Sequence, residues 1–142
     1  MTTIAYHHES KTIAWDSRQT GDGGVIKSDK SDKHIEIDGV HFWICGVVSD
    51  ERLMISAYQN GFVEKSPECN AFVYDDGVLY RCGVNEDGVL WKEVVNNDDA
   101  FGSGYLFALS AMRLGLSAKE AVEHAKTLDC YTGGEVHVME LR

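Results

Sequence analysis

The chain has 142 residues, 44% hydrophobic and 25% charged, with 13 basic against 23 acidic side chains. That is the composition of a single compact domain, expected to span residues 1–142, and the formal charge of −10 argues against nucleic acid and anionic membranes, which repel such a surface. An aromatic content of 10% and a lone proline, Pro67, argue against disorder. The longest apolar stretch, Val40 to Val48, is interrupted by His41 and Gly46 and falls far short of the roughly 20 residues that cross a bilayer. Met1 to His8 has no basic region followed by an apolar run, so no secretory signal is expected. Cys45, Cys69, Cys82 and Cys130 form no Cys-x-x-Cys pair and read as reduced, mostly buried thiols of a cytoplasmic protein.

Strand signals dominate the first half. Thr3 to His7 alternates, Thr12 to Trp15 is β-rich, and the polar Glu9-Ser10-Lys11 between them predicts a hairpin. Gly21 to Gly24 reads as a loop and Lys27 to Lys33 as a polar segment. His34 to Ile37, the turn Asp38-Gly39 and the run Val40 to Val48 follow, the last too apolar for anything but a buried strand. Ser49-Asp50-Glu51 announces a helix with Leu53, Met54, Ala57 and Tyr58 at helical spacing and a stop at Asn60-Gly61.

Ala71 to Tyr74 and Val78 to Tyr80 flank the turn Asp75-Asp76-Gly77, and Val89 to Trp91 follows Glu86-Asp87-Gly88. Gly102-Ser103-Gly104 opens a helical segment carrying Leu106, Leu109, Ser110 and Arg113, closed by Gly115. Ser117-Ala118-Lys119-Glu120 has the form of a capping box, followed by the stripe Ala121, Val122, Ala125 and Leu128. Val136, Val138 and Leu141 alternate as a last strand. Strands, helix, strands, two helices and a strand predict stacked sheets with helices outside.

The histidines offer no chemistry by spacing. His7, His8, His34, His41, His124 and His137 include no helical i, i+4 pair and no partner at metal-ligand spacing. A Ser-His-Asp triad has no Gly-x-Ser-x-Gly elbow to support it. No metal and no cofactor are expected.

The informative end is Met1-Thr2-Thr3. A small second residue permits removal of the initiator methionine, which leaves Thr2 with a free α-amine beside its own hydroxyl. A hydroxyl alone is a poor nucleophile, whereas an amine with a reference pKa near 8 can serve as its base at neutral pH. By itself, Met-Thr-Thr is only a common translation start.

Its company changes that. Thr2-Thr3-Ile4-Ala5 precedes Ile13-Ala14-Trp15-Asp16-Ser17-Arg18-Gln19-Thr20, Lys33-His34-Ile35-Glu36-Ile37, Ile44-Cys45-Gly46, Gly102-Ser103-Gly104 and Asp129-Cys130-Tyr131-Thr132-Gly133-Gly134. With these motifs in this order the chain resembles the proteasome β-subunit and HslV-like peptidases, a family of N-terminal nucleophile (Ntn) hydrolases. The resemblance runs from Thr2 to Leu141.

It implies an α+β, four-layer αββα sandwich of two antiparallel sheets flanked by helices, with one helical layer reduced. It makes Thr2 the nucleophile, Lys33 the lysine beside its hydroxyl and Asp16 the carboxylate that orients that lysine. An ammonium held charged by a carboxylate favours a negative hydroxyl oxygen. The resemblance gives Gly46 the N–H that faces the oxyanion, Ser103 a place near the amine, and Asp129 with Thr132 a supporting pair in which threonine replaces the family's serine. It gives Thr20 a backbone that pairs with bound peptide, and Ile35, Ile44 and Val48 the lining of a hydrophobic specificity pocket.

The activity implied is that of a self-compartmentalised threonine endopeptidase, conditional on removal of Met1. The implied assembly is a homo-oligomeric ring or stacked double ring that takes peptide or unfolded protein, with an ATPase unfoldase as partner. The chain departs from the family in a shorter first hairpin, a longer loop before Lys33, and a single short helix over Ser49 to Gly61 where the family carries a pair of long ones. Those helices build subunit contacts and the ATPase docking surface. Two alternatives remain beside the peptidase: an inactive ring-forming subunit with Met1 retained, and a small-molecule Ntn amidase.

Overall fold

Every strand pairing in the computed structural model, which describes residues 2–142, is antiparallel. The elements in chain order are β1 (Thr3–His7), β2 (Thr12–Trp15), β3 (Gln19–Thr20), β4 (Ile26–Ser28), β5 (His34–Ile37), β6 (Val40–Gly46) and α1 (Glu51–Asn60). After these come β7 (Cys69–Asp75), β8 (Val78–Val84), β9 (Leu90–Val94), β10 (Asp99–Gly102), α2 (Tyr105–Arg113), α3 (Ala118–Lys126) and β11 (His137–Glu140). The chain is therefore α+β, as expected. The expectation of two sheets needs correction, because the strands form three: β10-β1-β2-β11, the small β3-β4 ribbon, and β5-β6-β7-β8-β9.

The extra ribbon and β10 lie where the amino-acid pattern is polar. β4 sits at the edge of the segment read as polar coil, and β10 starts at Asp99 with no apolar alternation before it. Each is defined by its pairing, β4 with Gln19–Thr20 and β10 with β1. Two of the Asp-Gly turns behave as read: Asp38 and Asp76 take φ of 52° and 49°, and Gly39 and Gly77 take 80° and 77°, the left-handed pair that a two-residue hairpin requires. Glu86-Asp87-Gly88, expected to be of the same kind, lies instead in the longer loop between Val84 and Leu90, where Gly88 alone of the three takes positive φ.

The chain divides into two compact units, one made of the N-terminal segment through Lys33 together with Asn96–Arg142, the other of His34–Val95. In the first unit Ala5 lies in register with Ala14 on one side and Ala100 on the other. These three small side chains form the floor on which Ala108, Ala111, Met112, Ala121 and Val122 of α2 and α3 are buried. The alanines let helix backbones approach the sheet closely and hold β1, the strand that carries Thr3, rigidly from one face. In the second unit Phe42, Ile44, Ala71, Val73 and Cys82 pack with Met54 of α1.

Helix ends show which local signals were sufficient. Ser117 caps α3 with both hydrogen bonds of a capping box in place, Glu120 N to Ser117 Oγ at 3.1 Å and Ser117 N to Glu120 Oε1 at 3.0 Å. Gly61 ends α1 in the left-handed region with φ 80°. The start of α1 differs from expectation: Val48–Asp50 forms a 3-10 turn, and Asp50 makes no side-chain cap but accepts the Glu68 N–H at 3.0 Å. Leu128, read as part of the α3 stripe, lies beyond the helix and is 56% exposed. Among the described residues no helix is long and apolar enough to cross a membrane. Replacing Ser117 with alanine should cost about 1 kcal/mol by loss of the cap. Urea unfolding would read this as a lower midpoint at unchanged slope.

Candidate active site

The β1–β2 hairpin places the first site residues. Ile4 is opposite Trp15, so one step further along the ladder Thr3 meets Asp16, and Asp16 N donates to Thr3 O at 3.3 Å. Asp16 is wholly buried. Its carboxylate is nonetheless surrounded by donors: Oδ1 accepts from the Thr2 hydroxyl, from Thr3 N at 3.1 Å and from Lys33 Nζ at 2.8 Å. Oδ2 accepts from Gly133 N at 2.9 Å and Arg18 N at 3.3 Å. A buried carboxylate is tolerable only with such a shell.

Lys33, the last residue before β5, is also buried. Its ammonium donates to Thr2 Oγ1 at 2.5 Å, to Asp16 Oδ1 at 2.8 Å and to the Arg18 carbonyl at 2.6 Å. Thr2 Oγ1 therefore gives its proton to a carboxylate while a cation sits against its lone pair. Charge developing on that oxygen is stabilised where it forms, in a place where water cannot screen it. Thr2, Asp16 and Lys33, separated by 14 to 31 positions in sequence, thus meet as expected.

A second polar cluster lies in the same unit. Ser103 Oγ donates to Asp129 Oδ2 at 2.5 Å, Thr132 Oγ1 donates to the same oxygen at 2.6 Å, and Tyr131 N donates to Oδ1 at 3.2 Å. Burial pushes the Asp129 carboxyl up, and these hydrogen bonds outweigh it, so the group lies below the ordinary carboxylate value. Threonine at 132 keeps the hydroxyl contact in full.

Several residues that hold this arrangement had no role assigned from sequence. Arg18 grips Asp29 with Nε at 2.8 Å and Nη2 at 3.1 Å and donates from Nη1 to the Cys130 carbonyl at 2.9 Å, which fixes the backbone carbonyl that Lys33 uses. A Cβ on Gly133 would meet this guanidinium at 2.3 Å, and one on Gly102, whose φ is 101°, would meet the Thr2 carbonyl oxygen at 1.7 Å. The glycine-rich motifs around Ser103 and after Thr132 carried that signal, since backbone this close to other chain atoms leaves no room for a side chain.

The remaining expected residues occupy their own places. Thr20 pairs with Ile26 in the β3–β4 ribbon. In the second unit Ile44 is buried and Ile35 is packed against the same core cluster, whereas Val48 is 53% exposed. Gly46 ends β6 with φ 131°, and a Cβ there would lie 2.2 Å from the Glu68 carbonyl oxygen, so the strand end itself requires glycine. Cys45, Cys69 and Cys82 are buried and Cys130 is exposed. Burial pushes the Cys69 and Cys82 thiols up to about 12, which leaves no thiolate nucleophile there at neutral pH.

No family model matches the sequence, and no curated protein matches it either. The structure is similar to solved ones. BPH of Thiobacillus denitrificans in complex with epoxomicin superposes with a TM-score of 0.71 at 18% identity, over 99% of this chain and 100% of that one. A second structure of Thiobacillus denitrificans BPH gives 0.70 at 19% identity over 99% of both chains. Eukaryotic HslV from Trypanosoma brucei gives 0.69 at 20% identity, over 98% of this chain and 99% of that one. The chain shares the fold of HslV along nearly its whole length.

The Asp129 cluster has a testable titration. Because the folded carboxyl lies below its ordinary value of 3.8, the unfolded chain binds the proton first as pH falls. Its stabilisation is complete above that value and is lost as pH drops through the folded one. Urea unfolding from neutral pH to pH 3 should therefore show a shallower acid loss in Asp129→Asn than in the wild type.

Proposed function

We propose that the protein is a threonine-type peptidase whose nucleophile is the Thr2 hydroxyl, exposed beside its own α-amine once Met1 is removed. The observation that carries the reading is the buried Lys33 ammonium, 2.5 Å from Thr2 Oγ1 and 2.8 Å from Asp16. An isolated structural ion pair has no need of a hydroxyl between its partners.

In the proposed reaction the Thr2 oxygen attacks the peptide carbonyl and its proton passes through water to the α-amine. The Lys33 charge favours the negative oxygen during attack, and the Gly46 N–H receives the oxyanion. Collapse breaks the C–N bond, the departing amine takes the proton from the α-ammonium, and an ester to Thr2 remains. Water then adds to that ester, the amine again taking the proton, and releases the acid with Thr2 restored. Ser103, Asp129 and Thr132 hold the backbone around the amine.

The reading brings with it the four-layer stacking of the Ntn fold, peptide added as a strand along Thr20, and an apolar pocket from Ile35, Ile44 and Val48. Of these three, Val48 is the one free to meet substrate directly, since Ile35 and Ile44 also serve the core. A homo-oligomeric ring enclosing the sites, and an ATPase that feeds it unfolded protein in the cytoplasm, belong to the same proposal. With α1 as the only helix between β6 and β7, docking would use a smaller helical surface than in the family.

Intact-mass measurement is the first test: the peptidase reading requires the Thr2-terminated form, and a preparation wholly one methionine heavier sinks it in favour of an inactive ring subunit. Epoxomicin, the ligand of the BPH complex, should add once per chain to the wild type and not to Thr2→Ala. Thr2→Ala and Lys33→Ala should each lower cleavage of apolar fluorogenic peptides by at least about a thousandfold while circular dichroism stays unchanged. Hydrolysis of small amides with peptides untouched would instead identify an amidase. Light scattering should report a ring, and a monomer would remove the compartment from the proposal.

A further inference from the structure

The residue after the proposed nucleophile is as deeply buried as the site itself and carries its own hydroxyl. Thr3 has no exposed surface, and its Oγ1 lies 2.7 Å from Thr132 Oγ1. Thr132 directs its single hydroxyl proton to Asp129 Oδ2 at 2.6 Å. Its oxygen is therefore the acceptor in the contact with Thr3, and the direction of the chain is set: Thr3 hydroxyl to Thr132 hydroxyl to Asp129 carboxylate. At its other end Thr3 N donates to Asp16 Oδ1 at 3.1 Å, and its carbonyl accepts from Asp16 N at 3.3 Å.

We propose that Thr3 is a positioning residue of the proposed peptidase site, which clamps the peptide group between residues 2 and 3 to both buried carboxylates and so fixes the Thr2 hydroxyl and amine against Lys33. The inference rests on the reading of Thr2 as nucleophile. Thr3 touches neither substrate nor the reacting atoms and acts through Thr2. The N–H side ties the peptide plane to the carboxylate that Lys33 shares, and the hydroxyl side ties it to the carboxylate that Ser103 shares. Rotation of that plane would carry Thr2 Oγ1 off the ammonium, and displacement of a reacting atom by about 1 Å can cost on the order of a hundredfold in rate.

The surroundings are shaped for a hydroxyl at this place. A Cβ on Gly104 would stand 2.2 Å from Thr3 Oγ1 and 3.1 Å from Thr132 Oγ1, so the glycine at the head of α2 leaves the space in which the two oxygens meet. Removal of the Thr3 donor would leave the second lone-pair side of Thr132 facing an apolar group in a buried place, an unfavourable exchange.

Two near-isosteric variants separate a hydrogen-bonding role from packing. Thr3→Val keeps the shape and removes the donor, and Thr3→Ser keeps the donor and removes the methyl group. Clamping predicts that T3V lowers kcat by about ten- to a hundredfold with KM changed less than about threefold, and that T3S stays within about threefold of wild type. The opposite ranking, or equal activity of both variants, overturns the proposal.

Should T3V fail to fold, Thr132→Val breaks the same chain at its middle oxygen and must reproduce the kcat loss, with Thr132→Ser restoring it. Full activity in T132V overturns the proposal. Where T3V and T132V both fold, their double variant should lose little beyond T132V alone, since T132V already removes the Thr3–Thr132 link. If the wild type with Thr2 at its terminus cleaves no peptide, the peptidase reading fails. The clamp is then judged by NMR: a Thr3 hydroxyl proton protected from solvent exchange in the wild type and lost in T132V supports it, and rapid exchange in the wild type overturns it.

Discussion

A single ammonium group organises the first unit of this protein. Lys33 Nζ is buried, and burying a charge alone costs several kcal/mol, so everything near it is arranged to compensate. Asp16 supplies the counter-charge, the Arg18 carbonyl supplies an acceptor, and Thr2 supplies a hydroxyl oxygen. Asp16 in turn needs five donors, from Thr2, Thr3, Arg18, Lys33 and Gly133. Thr2 and Thr3 supply two of those donors from the start of β1, and Arg18, Lys33 and Gly133 supply one each from separate segments. The demand for satisfaction of one buried ion pair thus draws the start of β1, the β2 exit, the approach to β5 and the segment after α3 into one place.

Such an arrangement is poor economy for stability alone. Apolar residues of similar volume commonly replace a buried ion pair without loss. Both partners of the pair also hydrogen-bond a third group, Thr2 Oγ1. The Asp129 cluster has the same character: three donors converge on one carboxylate beside backbone that runs close to Thr2, and the glycines at 102, 104 and 133 are needed because that backbone is so tightly approached. Thr2 and Thr3 are buried and closely approached by Gly102 and Gly104, which restricts their conformational freedom. This is the condition under which preorganised electrostatics act on a reaction rather than relax away from it.

The second unit contributes differently. Its β5–β6 and β7–β8 hairpins close through Asp-Gly turns, and α1 buries Met54 and Ala57. Gly46 and Val48 stand at the point where β6 ends and the 3-10 turn begins.

Local physics is legible in residue order. Two-residue turns need positive φ at both positions, which Asp-Gly supplies. Capping boxes need a serine and a glutamate three apart, as at Ser117 and Glu120, and alternation or helical spacing betrays which face is buried. These features depend on neighbours in the chain, so residue order determined the hairpins β1–β2, β5–β6 and β7–β8 and the helices α2 and α3. Order alone left β4 and β10 invisible, because their residues are ordinary and only a waiting partner edge makes them strands. The site divides in the same way. Motif order singled out Thr2, Asp16, Lys33, Ser103, Asp129 and Thr132, yet the clamp through Thr3, the carbonyl of Arg18 and the need for Gly104 arise from contacts across as many as 129 positions. Such contacts are set by strand register and close packing, where fractions of an ångström decide which oxygen accepts, and that precision exists only once the tertiary structure has formed.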